Sequence, residues 1–129
     1  MTREVLSQKI IDRVNQFFQS KFSLTPSNMT VVLAKDVLIV KLVGVFSQSE
    51  RKLAMTKEGD ELINKMYRAL FDQMTPTLKR MLKPLVGGTI KSSRIEINLK
   101  DAECFYIFTF SEDLEEKLCL RKNRGKSSR

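Results

Sequence analysis

Histidine is absent from the 129 residues. That absence removes Ser-His-Asp and Cys-His nucleophile systems and every histidine-ligated metal site. Cysteine is nearly absent: Cys104 and Cys119 lack CxxC spacing, so they signal neither a zinc site nor a disulfide framework. Cys104 reads as a small buried apolar residue and Cys119 as a partly buried helix residue. No apolar run approaches the roughly 18 residues that a membrane span requires. The stretch from Met1 to Gln8 also lacks the continuous apolar segment of a signal peptide, so the cytoplasm is the expected compartment. Glycines form no nucleotide fingerprint, because Gly44 stands alone and Gly87-Gly88-Thr89 lacks the lysine and spacing of a P-loop. Asp and Glu total 15, which allows a carboxylate pair. However, Glu58, Asp60 and Glu61 cluster beside Lys57 at a helix start, where they serve the helix dipole and solubility. No catalytic residue, metal site or cofactor is expected.

What is present is the balance of one globular domain. Hydrophobic residues make up 42% and charged residues 29%, enough for a chain of this length to bury a core without disulfides or a structural metal. The net charge of +8 is concentrated at one end: Arg121, Lys122, Arg124, Lys126 and Arg129 supply five positive charges with no acidic residue among them. Residues 1–120 are read as a single α+β domain and residues 121–129 as a disordered basic tail.

Hydrophobic periodicity sets the element order. Leu6, Ile10, Val14, Phe17 and Phe18 recur at helical spacing and predict an amphipathic helix over residues 3–21, with Thr2 as its cap. Residues 29–34 and 37–46 read as two strands joined at Lys35-Asp36. The second is apolar on nearly both faces and belongs inside a sheet. A helical signal follows from Gln48 to about Lys83, with a break expected at Thr56-Lys57-Glu58-Gly59. Beyond that break Leu62, Ile63, Met66, Tyr67, Leu70, Phe71, Met74 and Leu78 form the stripe of the main core helix. Pro76 is expected to kink it or to start its last segment, and Pro84 with Gly87-Gly88 to end it. Residues 90–99 read as a strand with one wet face. Lys100-Asp101 then turns the chain into a richer strand over 102–110, and Ser111 caps a short final helix.

The resulting order is αββαββ, that of a ferredoxin-like fold with its first strand moved to the end. It predicts a four-stranded antiparallel sheet with the second and fourth strands inside, two main helices on one face and a short C-terminal helix. The other face is left with Val37, Ile39, Val43 and either Phe105 with Ile107 or Tyr106 with Phe108. A homodimer or a stable hetero-complex is expected to cover it.

The junction between the most apolar strand and the long helical region is specified locally. Ser47 followed by Glu50 is a capping box, in which each side chain bonds the other's backbone N–H. Gly44 permits a bulge or the close approach of another backbone. The stretch Gly44-Val45-Phe46-Ser47-Gln48-Ser49-Glu50, followed by Leu53-Ala54 and Thr56-Lys57-Glu58-Gly59, resembles the signature of the MpsC-like family. That signature is a glycine, a hydrophobic pair, threonine or serine, two variable positions and glutamate, and the likeness extends from the N-terminal helix to Phe110. Its members are named for a sodium-translocating, membrane-potential-generating system, and associated membrane proteins are linked to inorganic-carbon uptake.

The resemblance implies a non-enzymatic accessory or regulatory protein of such a transport system, working by contact with membrane transporter subunits. The family pattern has an arginine near Arg68, which marks Arg68 as a candidate partner contact; from its spacing alone it is a solvent-facing residue beside the stripe. The basic tail is expected to add weak contact with an anionic membrane surface at the inner face. The alternative is a small-ligand-binding regulatory domain. A nucleic-acid-binding module ranks below both, because Phe105, Tyr106, Phe108 and Phe110 are split between two faces without interleaved basic residues.

Overall fold

The computed structural model describes residues 2–22 and 26–117. Along them run α1 (Arg3–Phe22), β1 (Asn28–Ala34), β2 (Val37–Val43), α2 (Gln48–Leu53), α3 (Lys57–Val86), β3 (Ile90–Asn98), β4 (Glu103–Phe110) and α4 (Leu114–Lys117). The strands form one four-stranded sheet in the order β1-β2-β4-β3, antiparallel throughout. This is the permuted ferredoxin-like sheet, with the two richest strands inside.

Alternation along the inner strands produces the core. Leu38, Val40 and Leu42 of β2 lie in register with Phe108, Tyr106 and Cys104 of β4, and all six side chains are buried. Leu6, Ile10 and Val14 of α1 and Phe71, Leu78 and Leu82 of α3 join them in the same core. Each fully buried leucine, isoleucine or phenylalanine contributes about 1.5–3 kcal/mol.

The opposite face of the sheet has no helix over it among the described residues. Across it, register aligns Val32, Ile39, Ile107 and Arg94 in one row and Thr30, Lys41, Phe105 and Glu96 in the next. The two candidate sets on β4 are thereby resolved: Tyr106 and Phe108 enter the core, while Phe105 and Ile107 stay half-buried on the open face.

Both sheet edges meet an arginine from a covering helix. Arg3 of α1 donates through Nη1 to the Leu33 carbonyl of β1. Arg68 of α3 donates to the Ile95 carbonyl of β3 at 3.0 Å. Arg3 also pairs at 3.4 Å with the buried Glu115 of α4, whose carboxylate accepts the Lys35 N–H at 2.8 Å. Lys35 has φ +55, and this turn therefore serves as the anchor of the C-terminal helix.

Several boundaries differ from the periodicity for identifiable reasons. The second strand ends at Val43 instead of Phe46, because Gly44 at φ +80 turns the chain out of the extended region. α3 continues through both Pro76 and Pro84 to Val86 and stops at Gly87, a left-handed cap whose N–H donates to the Lys83 carbonyl. Leu62 and Met66, assigned to the core stripe by spacing, are 59% and 40% exposed. The first turns of α3 run past the edge of the core, so on that stretch only Gly59 and Ile63 are buried. Ser111 does not cap α4: its N–H donates to Thr89, and the Glu116 N–H is taken by Asp113. The Lys-Asp turns also differ, since the left-handed residue is Lys35 in one and Ala102 in the other.

Candidate functional site

The site is assembled at the junction where β2 gives way to α2. A Cβ on Gly44 would stand 2.3 Å from Ser27 Oγ and 3.1 Å from the Ser27 backbone nitrogen. The close approach expected at this glycine is therefore the chain entering β1, held by the Ser27 N–H to the Val43 carbonyl at 2.9 Å. Past the glycine, Val45 and Phe46 turn inward and are buried. The capping box then closes: Ser47 N–H donates to Glu50 Oε1 at 2.9 Å and Glu50 N–H to Ser47 Oγ at 3.0 Å.

Glu50 does more than cap. The Tyr67 hydroxyl donates to its carboxylate, at 2.9 Å from each oxygen. The Tyr67 ring meets Phe46 edge-on at 4.9 Å. The strand-to-helix junction is in this way fastened to the middle of α3. Gly59 permits the approach of the two helices, because a Cβ there would lie 1.8 Å from the Leu53 carbonyl oxygen.

Inside this fastening is a cleft of about 190 Å³. Phe18 of α1, Val45 of the junction and Tyr67, Leu70 and Met74 of α3 form its walls, and Cys104 and Tyr106 of β4 also line it. The Tyr106 ring is held between Phe18, stacked at 6.1 Å, and Phe71 at 4.9 Å. Burial pushes the Cys104 thiol up to about 12, against a smaller lowering by Arg68. Burial likewise raises Tyr106 and Tyr67, with the Glu50 hydrogen bond adding to the shift at Tyr67. All three keep their protons at neutral pH. The cleft consequently offers hydrogen-bond donors, and Cys104 is a protonated thiol without the character of a nucleophile.

Gly44, Ser47 and Glu50 come together as the junction. Arg68 stands apart from them on α3, with its guanidinium on the Ile95 carbonyl. The basic residues Arg121, Lys122, Arg124, Lys126 and Arg129, like Cys119, lie outside the described residues. The sequence reading missed the cleft, since Tyr67, Leu70 and Met74 look like ordinary members of a core stripe. The available signal was Tyr106, a hydroxyl on the otherwise apolar face of an inner strand. Among the described residues no group of three or more Cys, Asp or Glu side chains is arranged to hold a metal ion. No helix there is long and apolar enough to cross a membrane.

The fold and the junction together describe a small α+β domain built on a capped strand-to-helix turn. Residues 2–112 match the family described as the Na+-translocating membrane potential-generating system (MpsC), and the chain belongs to that family. It is also similar to YbcI, an uncharacterized protein of Bacillus subtilis (strain 168). The two are 26% identical over 86 residues, covering 67% of this chain and 69% of YbcI. No solved structure matches the chain.

Proposed function

We propose that this protein is a non-enzymatic accessory or regulatory component of a membrane system that moves sodium or inorganic carbon. It acts by protein–protein contact from the cytoplasmic side, as a homodimer. The observation that supports this reading is the open sheet face, where Val32, Val37, Ile39, Val43, Phe105 and Ile107 lie without a covering helix among the described residues. Half-buried apolar side chains in adjacent rows are costly to leave in water, at roughly 25 cal/mol for each Å².

A second copy of the same face is the occupant that its charges favour. Lys41 and Arg94 are balanced there by Glu96 and Glu103, with Lys41 paired to Glu103 at 2.9 Å. Two such faces meet without net repulsion, in an isologous contact. The family description supplies the transport setting. Arg121, Lys122, Arg124, Lys126 and Arg129 would add salt-sensitive attraction to an anionic leaflet, about 1 kcal/mol for each charge close to the surface.

The test is sedimentation equilibrium at micromolar concentration, paired with complementation. The parent is expected at twice the 14.9 kDa chain mass, and Ile107→Glu as a folded monomer. In a deletion strain, the parent gene should restore sodium-dependent membrane potential and the Ile107→Glu gene should not. A monomeric parent would sink the dimer, and full complementation by Ile107→Glu would sink the role of this face.

A further inference from the structure

The cleft behind the junction has a composition that the contact function does not use. Its walls are apolar and aromatic, yet the Tyr106 hydroxyl has no hydrogen-bond partner among the described residues although the residue is only 5% exposed. A buried phenol normally finds an acceptor, and at this cleft only water or a ligand is left to supply one. The neighbouring donor is already committed, since Tyr67 gives its proton to Glu50.

We propose that this cleft binds a small neutral carbonyl compound, of about one ring in size, whose oxygen accepts the Tyr106 hydroxyl. The size follows from the volume. An apolar cavity of roughly 150 Å³ holds benzene, so about 190 Å³ admits one ring with a short substituent. The requirement for an acceptor follows from the donors: Tyr106 and Cys104 line the cavity and both carry their protons.

Neutrality follows from the absence of a counter-charge. No lysine or arginine lines the cleft, and the Glu50 carboxylate stands behind the Tyr67 hydroxyl. Arg68, which acts electrostatically on the Cys104 thiol, uses its guanidinium on the Ile95 carbonyl. An anionic ligand would therefore be buried without a partner, at a cost that outweighs one hydrogen bond. The aromatic rings already fixed around Tyr106 favour a flat ligand, which stacks on them without further ordering.

Three probes of nearly one shape separate these requirements: acetophenone, its methylene counterpart α-methylstyrene, and benzoate. Dissociation constants are read from amide shifts of the full chain in two-dimensional NMR, following residues of the cleft. Acetophenone is expected to bind about 5-fold more tightly than α-methylstyrene, the ratio for one neutral hydrogen bond, and benzoate not at all. Tyr106→Phe keeps the ring between Phe18 and Phe71 and removes only the oxygen; it should bring the two neutral probes to equal affinity. Leu70→Trp, a change on the half-buried rim, should abolish the shifts for both.

The proposal is overturned if benzoate binds best, if none of the probes shifts cleft residues, or if Tyr106→Phe retains the preference for acetophenone. Retention of both neutral probes by Leu70→Trp would place the site elsewhere and overturn it as well. None of these outcomes bears on the dimer, since Tyr106 and Leu70 lie on the helix-covered side of the sheet.

Discussion

Tyr67 Oη lies 2.9 Å from both carboxylate oxygens of Glu50, the residue that caps α2 through the Ser47 N–H. One side chain thus starts a helix and holds that helix to another. Removing Ser47 alone loses one N-cap bond, and Ser47→Ala should cost about 1 kcal/mol. Glu50→Ala removes the return bond and strands the Tyr67 hydroxyl, so its cost should be larger, about 2 kcal/mol. In a double-mutant cycle with Tyr67→Phe, a coupling of about 0.5–1.5 kcal/mol by urea denaturation is the expected outcome; additive losses would show that the Tyr67 bond carries no stability.

Gly44→Ala should be more damaging than its size suggests. The residue sits at φ +80, and a Cβ there meets Ser27 at 2.3 Å. Left-handed strain alone costs about 1–2 kcal/mol, and displacement of the chain entering β1 adds to it. Thermal melts should fall by several degrees, and pairing with Ser27→Gly should return part of the loss by relieving the clash.

Glu115 is the hinge pin of the C-terminal end. Its side chain is 4% exposed, paired with Arg3 and accepting the Lys35 N–H. Glu115→Ala should destabilise by about 2 kcal/mol, the scale of a hydrogen bond to a charged group. Hydrogen exchange should show fast exchange at the Leu114 and Lys35 amides with the β2 and β4 core still protected. Equal protection in parent and variant would mean that Leu114 packing alone holds α4.

Alkaline pH should weaken the fold. The Cys104 thiol is pushed up to about 12 in the folded chain, against about 8.5 when unfolded. Below pH 8 both states hold the proton and this group leaves stability unchanged. Above about 8.5 the unfolded chain loses its proton first, so stability falls, by on the order of 1–2 kcal/mol at pH 10. Tyr67 and Tyr106 extend the decline above their unfolded value of about 10. Urea midpoints at pH 7, 8, 9 and 10 give the slope, and Cys104→Ala should flatten the part between 8.5 and 10.

The sheet was legible because strand alternation is a short-range pattern: the apolar wealth of residues 37–43 and 103–110 ranks them as inner strands without any knowledge of contacts. The capping box was legible for the same reason, since both of its partners lie within one turn. Tyr67 on Glu50, Arg68 on Ile95 and Arg3 on Glu115 were not legible, because each joins residues far apart in the chain. A helical stripe records which side of a helix is apolar but not how much of its length lies over the sheet. Leu62 and Met66 therefore read like Phe71 and are nonetheless exposed.

The arginine contacts at the two outer strands have a consequence for behaviour in a crowded solution. An edge strand with free carbonyls is a template for another chain, and repeated templating leads to fibres. Here Leu33 and Ile95, one on each edge, already accept from guanidinium groups. A charged plug at either margin resists strand addition there, which leaves the apolar face for the self-association proposed above. A symmetric contact on that face closes after two copies, and its growth is finite.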